Sequence, residues 1–367
     1  MFKTICLSFF VVYLQMLNAL EFSGEKIRSM IAEPMPDWMK NQIEEDLEPF
    51  KEGVTLESIE ATMRDVYSIP SGSLAGFVRY VIKDNKVSFR SPDLRFDDAR
   101  ITGVMQVLEE LARHVTLPDV VFLSSVWDSY DNPIYLEKTY CPVFTMCKVR
   151  GNKFGVLFPE FRFIDYRTRL INDFEWTCER SPWDEKINIA FWRGMTSGGN
   201  YSFYGWDFKP RSRLAIFSQE HPDLVDAAFT SPYALDGNIK MWMEKYGLFQ
   251  PWSYPVEFIK YKHLISVDGN TFASNFWWQL LSNCCVLKSE SDYLEWFYKG
   301  TQKDVHYVAY ELDTSDLAEK VRWLFAHDKE AQIIAENGRA FAKEHLTNEA
   351  LAVYFYRLLV AYSKLQR

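Results

Sequence analysis

The chain has 367 residues, more than one hydrophobic core usually serves, so two domains of ordinary size are expected. Its 41 Lys and Arg stand against 50 Asp and Glu, a net charge of −9, which argues against a nucleic-acid binder and requires any phosphate site to be basic only locally. Aromatic residues make up 16% of the chain, with 12 Trp and 20 Tyr, a supply that suits sugar-stacking surfaces and equally a large aromatic core.

Lys3 precedes an apolar run from Ile5 to Leu20, with small Ala19 near its end. The run is short for a membrane span, so residues 1–20 read as a secretory signal peptide or an uncleaved signal anchor. Membrane contact is expected only if that segment is retained. The expected location is the secretory pathway, in the lumen of the endoplasmic reticulum or Golgi, or outside the cell. Ser363 to Arg367 lacks a KDEL-type retention signal.

Residues 21 to 60 have the acidic N-terminal turns of short helices, and Gly76 to Ile82 with Lys86 to Phe89 suggest a hairpin around Asp84-Asn85. Arg100 to His114 carries Val104, Val107, Leu108 and Leu111 at helical spacing and leads into an apolar strand, Val120 to Val126, that ends at Trp127-Asp128. A second round begins with the strand Ile187 to Trp192 and the helix Arg213 to His221, followed by strands near Ala227 and over Ile259 to Val267. A helix over Thr271 to Asn283, a strand Cys284 to Leu287, and helices Ser315 to Ala326, Glu330 to His345 and Asn348 to Leu365 complete the alternation. This is an α/β pattern, with the domain junction expected in the charge-rich segment Glu175 to Lys186. The expected division is 21–180, 181–345 and a last helix within 346–367.

Of six cysteines, Cys141 and Cys147 are placed to pair across a short loop, while Cys284 and Cys285 read as small apolar residues of a buried strand. No C-x-x-C or histidine cluster suggests zinc, and no metal or resident cofactor is expected. The acidic runs Asp97-Asp98 and Glu44-Glu45-Asp46 fit solvated faces and helix N-terminal turns. Asn200-Tyr201-Ser202 is a glycosylation sequon.

The densest functional signal lies between Val256 and Tyr307. The turn Asp268-Gly269-Asn270 ends a strand, so its backbone N–H groups can face a ligand at the strand's carboxyl end, and a diphosphate is the natural guest. Asp268, Gly269, Asn270 and Thr271 would line the sugar or phosphates of a nucleotide. Phe272 would either wall its base or serve helix packing. Arg193 and Gly194 follow an apolar strand, with Thr196 and Ser197 as hydroxyl donors next to them. Asp128, at the end of the other buried strand, is a candidate base, although Asp128 to Pro133 is also good turn chemistry, and Asp131 is the alternative.

The wording of these segments resembles glycosyltransferase family 90, the capsule-associated and Rumi-type protein O-glucosyltransferases. The resemblance rests on Lys260 to Gly300 followed by Val305 to Val308, together with Ile43 to Thr55, Leu117 to Asp128, Leu157 to Phe163 and Phe191 to Gly199, in the family's order. It implies a GT-B fold, two Rossmann-like domains facing a cleft, with the C-terminal helix crossing back to the first. It also implies that Asp128 is the base, that Arg193 belongs to a phosphate loop, and that Arg211 and Arg213 match a basic pair after that loop. The activity implied is inverting, metal-independent transfer of glucose or xylose from a UDP-sugar to a hydroxyl of a protein or glycan.

One departure stands out. The family commonly carries an arginine just after the glycine turn, and here Asn275 and its neighbours Ala273 to Trp278 include none. Either Arg193, Arg211 or Lys262 supplies that charge, or the chain is a non-catalytic lumenal carbohydrate-binding relative of the same fold.

Overall fold

The computed structural model describes residues 22–91, 98–162, 164–199, 201–202, 204–233 and 235–367. Residues 1–20, read as a signal segment, lie outside the described residues, as do Asp97, Phe163 and the sequon's Asn200.

In the first half three helices, α1 (Gly24–Ala32), α2 (Asp37–Leu47) and α3 (Leu56–Tyr67), precede a hairpin of β1 (Phe77–Lys83) and β2 (Lys86–Arg90). The hairpin turns on Asp84 and Asn85, both at positive φ (52° and 59°), the left-handed pair that a two-residue turn between twisted strands needs. Helix α4 (Asp98–His114) then returns the chain to β3 (Val120–Ser125). Short strands β4 (Val143–Thr145), β5 (Cys147–Val149) and β6 (Gly155–Leu157) follow, and α5 (Ile164–Cys178) closes this half. The sheet order is β2-β1-β3-β4-β6, antiparallel at the hairpin end and parallel from β3 onward.

The second half is a parallel sheet of order β12-β10-β9-β7-β8, built from β7 (Ile187–Met195), β8 (Val225–Ser231), β9 (Tyr261–Ser266), β10 (Cys285–Ser289) and β12 (Val308–Tyr310). Helices α6 (Pro210–Glu220), α7 (Gly237–Lys245), α8 (Phe276–Leu281), α9 (Leu317–Ala326) and α10 (Asp328–His345) connect and cover it, and α11 (Asn348–Ser363) ends the fold. Two Rossmann-like sheets, each with its own core, make this an α/β protein of GT-B type.

The halves are joined by more than the linker. Strand β11 (Tyr293–Glu295) leaves the second half and pairs antiparallel with β5, Tyr293 opposite Val149 and Glu295 opposite Cys147. The next residues, Trp296 and Phe297, sink into the core of the first half, with the Trp296 ring 4.5 Å from Tyr354 of α11 and 6.0 Å from Trp38 of α2. Helix α11 belongs to that same core, where Phe355 and Tyr362 meet Phe122 and Phe144. Its end is stitched to the first half: Val54 N–H donates to Leu365 O (2.8 Å), and the Gln366 amide exchanges two bonds with the Val121 backbone (2.6 and 2.7 Å).

Two expectations are corrected. The helix expected over Thr271 to Asn283 is only Phe276–Leu281. Residues 267–275 are instead held as a loop by bonds of Gly269 N–H to Thr271 O (3.1 Å) and of the Ser266 hydroxyl to Asn275 Oδ1 (3.3 Å), and Asn283 at φ 55° stops the helix early. Cys141 and Cys147 are free buried thiols, because they face different layers: Cys141 bonds the Thr62 hydroxyl on α3, whereas Cys147 lies against the Phe272 backbone of the other half.

Replacing Gln366 with Ala removes both bonds to Val121 and is expected to lower unfolding free energy by about 1–2 kcal/mol. Equilibrium urea unfolding would show this as a lower midpoint at unchanged slope.

Candidate functional site

Strand order places a crevice in the second half. The chain leaves β7 toward β8 on one side and β9 toward β10 on the other, so the loops at the carboxyl ends of β7 and β9 part, the position where open α/β sheets hold their ligands. The two loops clasp each other across it. Asn270 Oδ1 accepts from the N–H groups of Gly198 (2.9 Å) and Gly199 (3.1 Å), which stand at φ 109° and 103°, a region glycine alone enters freely. A side chain at Gly269 would meet the Ser197 hydroxyl at 2.6 Å and the Arg211 guanidinium at 2.8 Å.

Arg211, in the first turn of α6, is the hub. Its guanidinium donates to Asp268 O (3.1 Å), Met195 O (3.0 Å) and Val267 O (3.4 Å), so one cation ties both loop bases together. Burial lowers its pKa, opposed by Tyr201 and Asp268. Asp268 is itself buried: its carboxyl accepts from the Ser291 hydroxyl and lies against the Ala273 N–H, and desolvation raises its pKa against the pull of Lys288, Ser291 and Arg211. Behind the clasp, Thr196 Oγ1 donates to Tyr233 O (2.8 Å) and accepts from Tyr233 N–H (2.6 Å), fixing the exits of β7 and β8. Gly194 gives room to the Trp192 ring, which a Cβ there would approach to 2.5 Å.

The structure thus gathers Thr196, Ser197, Arg211, Asp268, Gly269, Asn270 and Thr271, and sets two other arginines apart. Arg193 lies on the opposite face of β7 from Trp192, stacked 4.4 Å over Phe191 and ion-paired to Asp226 at 2.8 Å. Arg213 lies 5.5 Å over the Phe208 ring. Lys262 is bound to Asp328 at 2.7 Å.

Asp128 stands at the exit of β3 in the first half. Its carbonyl accepts from Cys147 N–H (3.0 Å), which pins the turn, and its carboxylate is ion-paired to Arg100 of α4, which also donates to Val126 O. The Asp128 side chain stays 43% exposed. Asp131 has a structural task instead, accepting from Val149 N–H (3.0 Å) and the Asn152 amide (2.7 Å). Arg100 carried no sequence signal: it is 28 residues from Asp128 on a helix whose pattern reports only the core face.

Two cavities flank the β5–β11 ladder. The smaller, about 230 Å³, runs between Glu160, Arg162 and Arg167 of the first half and Phe272, Ser274 and Trp277 of the second. Phe272 is buried and walls this space. Arg167 stacks 3.5 Å over Trp277, and burial pushes its pKa down to about 9. Glu160 pairs with Arg162 at 2.8 Å; desolvation raises its pKa, and Asp128 and Arg100 are among the charges it senses. The larger cavity, about 430 Å³, opens at the carboxyl ends of β10 and β12 beneath the 148–153 loop. Glu295 lines both, and desolvation pushes its pKa up to about 8.

The family model of glycosyl transferase family 90 matches residues 33–367. Protein O-glucosyltransferase 2 of Danio rerio is 29% identical over 360 residues, which cover 91% of this chain and 66% of that protein. Human protein O-glucosyltransferase 3 is 28% identical over 79% of this chain and 55% of its own length, and human protein O-glucosyltransferase 1 is 28% identical over 88% and 79%. The chain therefore spans 55% to 66% of the type 2 and type 3 proteins. Among solved structures, Anabaena HepE in complex with UDP-glucose aligns with a TM-score of 0.40 at 11% identity, over 72% of this chain and 77% of that one.

Because the folded Glu295 carboxyl titrates at about 8 against an ordinary 4.5, the native state holds a proton that the unfolded chain has released between those values. Stability is therefore lost as pH rises through that window, by up to about 1.4 kcal/mol per unit. Glu295→Gln, which stays neutral, is expected to flatten that part of the curve; chemical denaturation at stepped pH would show an unaltered slope if the carboxyl were ionised throughout.

Proposed function

The chain belongs to glycosyl transferase family 90, and we propose that it transfers glucose or xylose from a UDP-sugar to a hydroxyl group of a protein or glycan, with inversion and without a metal. The observation that carries this reading is Arg211, a half-buried cation held by three backbone carbonyls at the switch-point crevice. A diphosphate arriving there meets a fixed positive charge whose position costs nothing further to organise. Sugar hydroxyls have partners in Ser197 and in the charged and aromatic lining of the smaller cavity. The relatives' names specify glucose and a protein oxygen, and lumenal or secreted residence follows the reading of residues 1–20 as a secretory segment.

In this mechanism Asp128 accepts the proton of the acceptor hydroxyl while that oxygen attacks the anomeric carbon. The bond from that carbon to the β-phosphate oxygen breaks on the opposite face, and UDP departs as an anion toward Arg211. Arg100 holds one Asp128 oxygen, which orients the carboxylate and leaves its other oxygen for the proton.

The second reading, a carbohydrate-binding relative without turnover, is favoured by one observation. Asn275, where the family pattern has an arginine, is neutral and engaged with Ser266. Asp128→Asn separates the two. In a transferase it should cut sugar transfer, and any slow release of UDP from the UDP-sugar, by about 10²–10⁴-fold, while calorimetric UDP binding stays near the parent value with EDTA present. Equal turnover in parent and variant would remove Asp128 from the chemistry.

A further inference from the structure

Lys288 is a buried cation that the transfer scheme leaves unused. It sits on β10 directly across from Ser266 of β9 and is 6% exposed. Its ammonium donates to Ser289 O at 3.3 Å and lies 4.6 Å over the Tyr298 ring and 5.5 Å over Phe276. No carboxylate among the described residues stands within ion-pair distance of it. That sets it apart from its neighbours: Lys148 is held by Asp46 and Lys299 by Glu45, each at 2.6 Å. Asp268, Glu295 and Glu290 act on it from beyond contact distance, and holding an ammonium out of water without a contact ion pair costs several kcal/mol, so the position favours an anion that comes closer.

The surroundings say which kind. Lys288 lines the 430 Å³ cavity at the strand ends, together with Ser291, the Ser289 hydroxyl beside Tyr310, the Tyr298 hydroxyl beside the Glu295 carboxyl, and Glu290. Asp268 feels the charges of both Lys288 and Arg211. Lys288 and Asn275 both neighbour Ser266, the first as its cross-strand partner and the second by hydrogen bond.

We propose that Lys288 is the second cation of the donor site, and that its ammonium binds the diphosphate of the UDP-sugar alongside Arg211. The inference rests on the donor reading above. The two cations stand at different strand ends: Arg211 ties the β7 and β9 loops, and Lys288 lines the cavity at the ends of β10 and β12.

The test is calorimetric titration of the full chain with UDP and with uridine. Lys288→Met keeps the length of the side chain and removes only its charge. It should weaken UDP about 10–100-fold, the range of a charge-assisted contact, and leave uridine within about threefold, whereas a purely structural role would move both ligands together. Lys288→Arg should bind UDP close to the parent, and Lys288→Met with Asn275→Arg should regain at least part of the loss. A folded Lys288→Met that binds UDP like the parent overturns the assignment. The parent chain supplies a measurement that needs no variant: UDP should slow acetylation of Lys288 relative to Lys148 and Lys299, and an unchanged rate would overturn the proposal equally. If the parent binds neither UDP nor a UDP-sugar, the donor reading itself fails and this inference with it; binding by the parent with no effect at Lys288 removes Lys288 alone.

Discussion

The three-residue ladder between β5 and β11, continued by Trp296 and Phe297 in the first half's core, is the constraint on which the remaining architecture depends. A linker alone would leave two sheets free to choose their angle. The ladder fixes strand against strand, and the two aromatic rings make the attachment hydrophobic as well as hydrogen-bonded. The space on either side of it becomes the two cavities, and Glu295, the last ladder residue, is the wall they share. The arrangement also explains why so many charged groups are buried at this level. Glu160, Arg167, Lys288 and Glu295 come from different elements, and each is pushed from its ordinary pKa chiefly by desolvation.

Around that joint, charge is distributed by a simple rule. Cations that already have a carboxylate, such as Arg193 with Asp226 and Lys262 with Asp328, hold structure. Two cations lack a contact carboxylate: Arg211, bound by backbone carbonyls at the β7 and β9 loops, and Lys288, which lines the larger cavity. Arg100 represents a third use, a cation that sets the orientation of the one exposed carboxylate at the end of β3.

Much of the scaffold was legible in the sequence because it obeys local rules. Asp84-Asn85 marks the hairpin through its tolerance of positive φ, and the apolar runs of β3, β7 and β9 mark strands covered on both faces. The motifs also placed Asp128 and the Asp268 turn at strand ends. What escaped was set by partners distant in the chain. Thr271 to Asn275 has no helix breaker of its own, yet the loop's bonds and the clasp to Gly198 and Gly199 hold that stretch out of a helix. Arg193 has the motif position of a phosphate ligand, and only the strand's alternation, with Asp226 one strand away, shows which face it takes. Lys288 lies in an apolar strand where its four methylenes satisfy the pattern and hide the charge.

The passage of α11 and the Trp296 segment through the first half's core has a consequence for how the molecule comes apart. The second half begins after α5 and ends before α11, so its chain is anchored at both ends and once in the middle to elements of the other core. Unravelling its sheet would drag Trp296 from between Trp38 and Tyr354, and loosening α11 would strip Phe355 and Tyr362 from β3 and β4. Neither core can open while the other stays whole, so heat or denaturant should melt two sheets in a single cooperative transition.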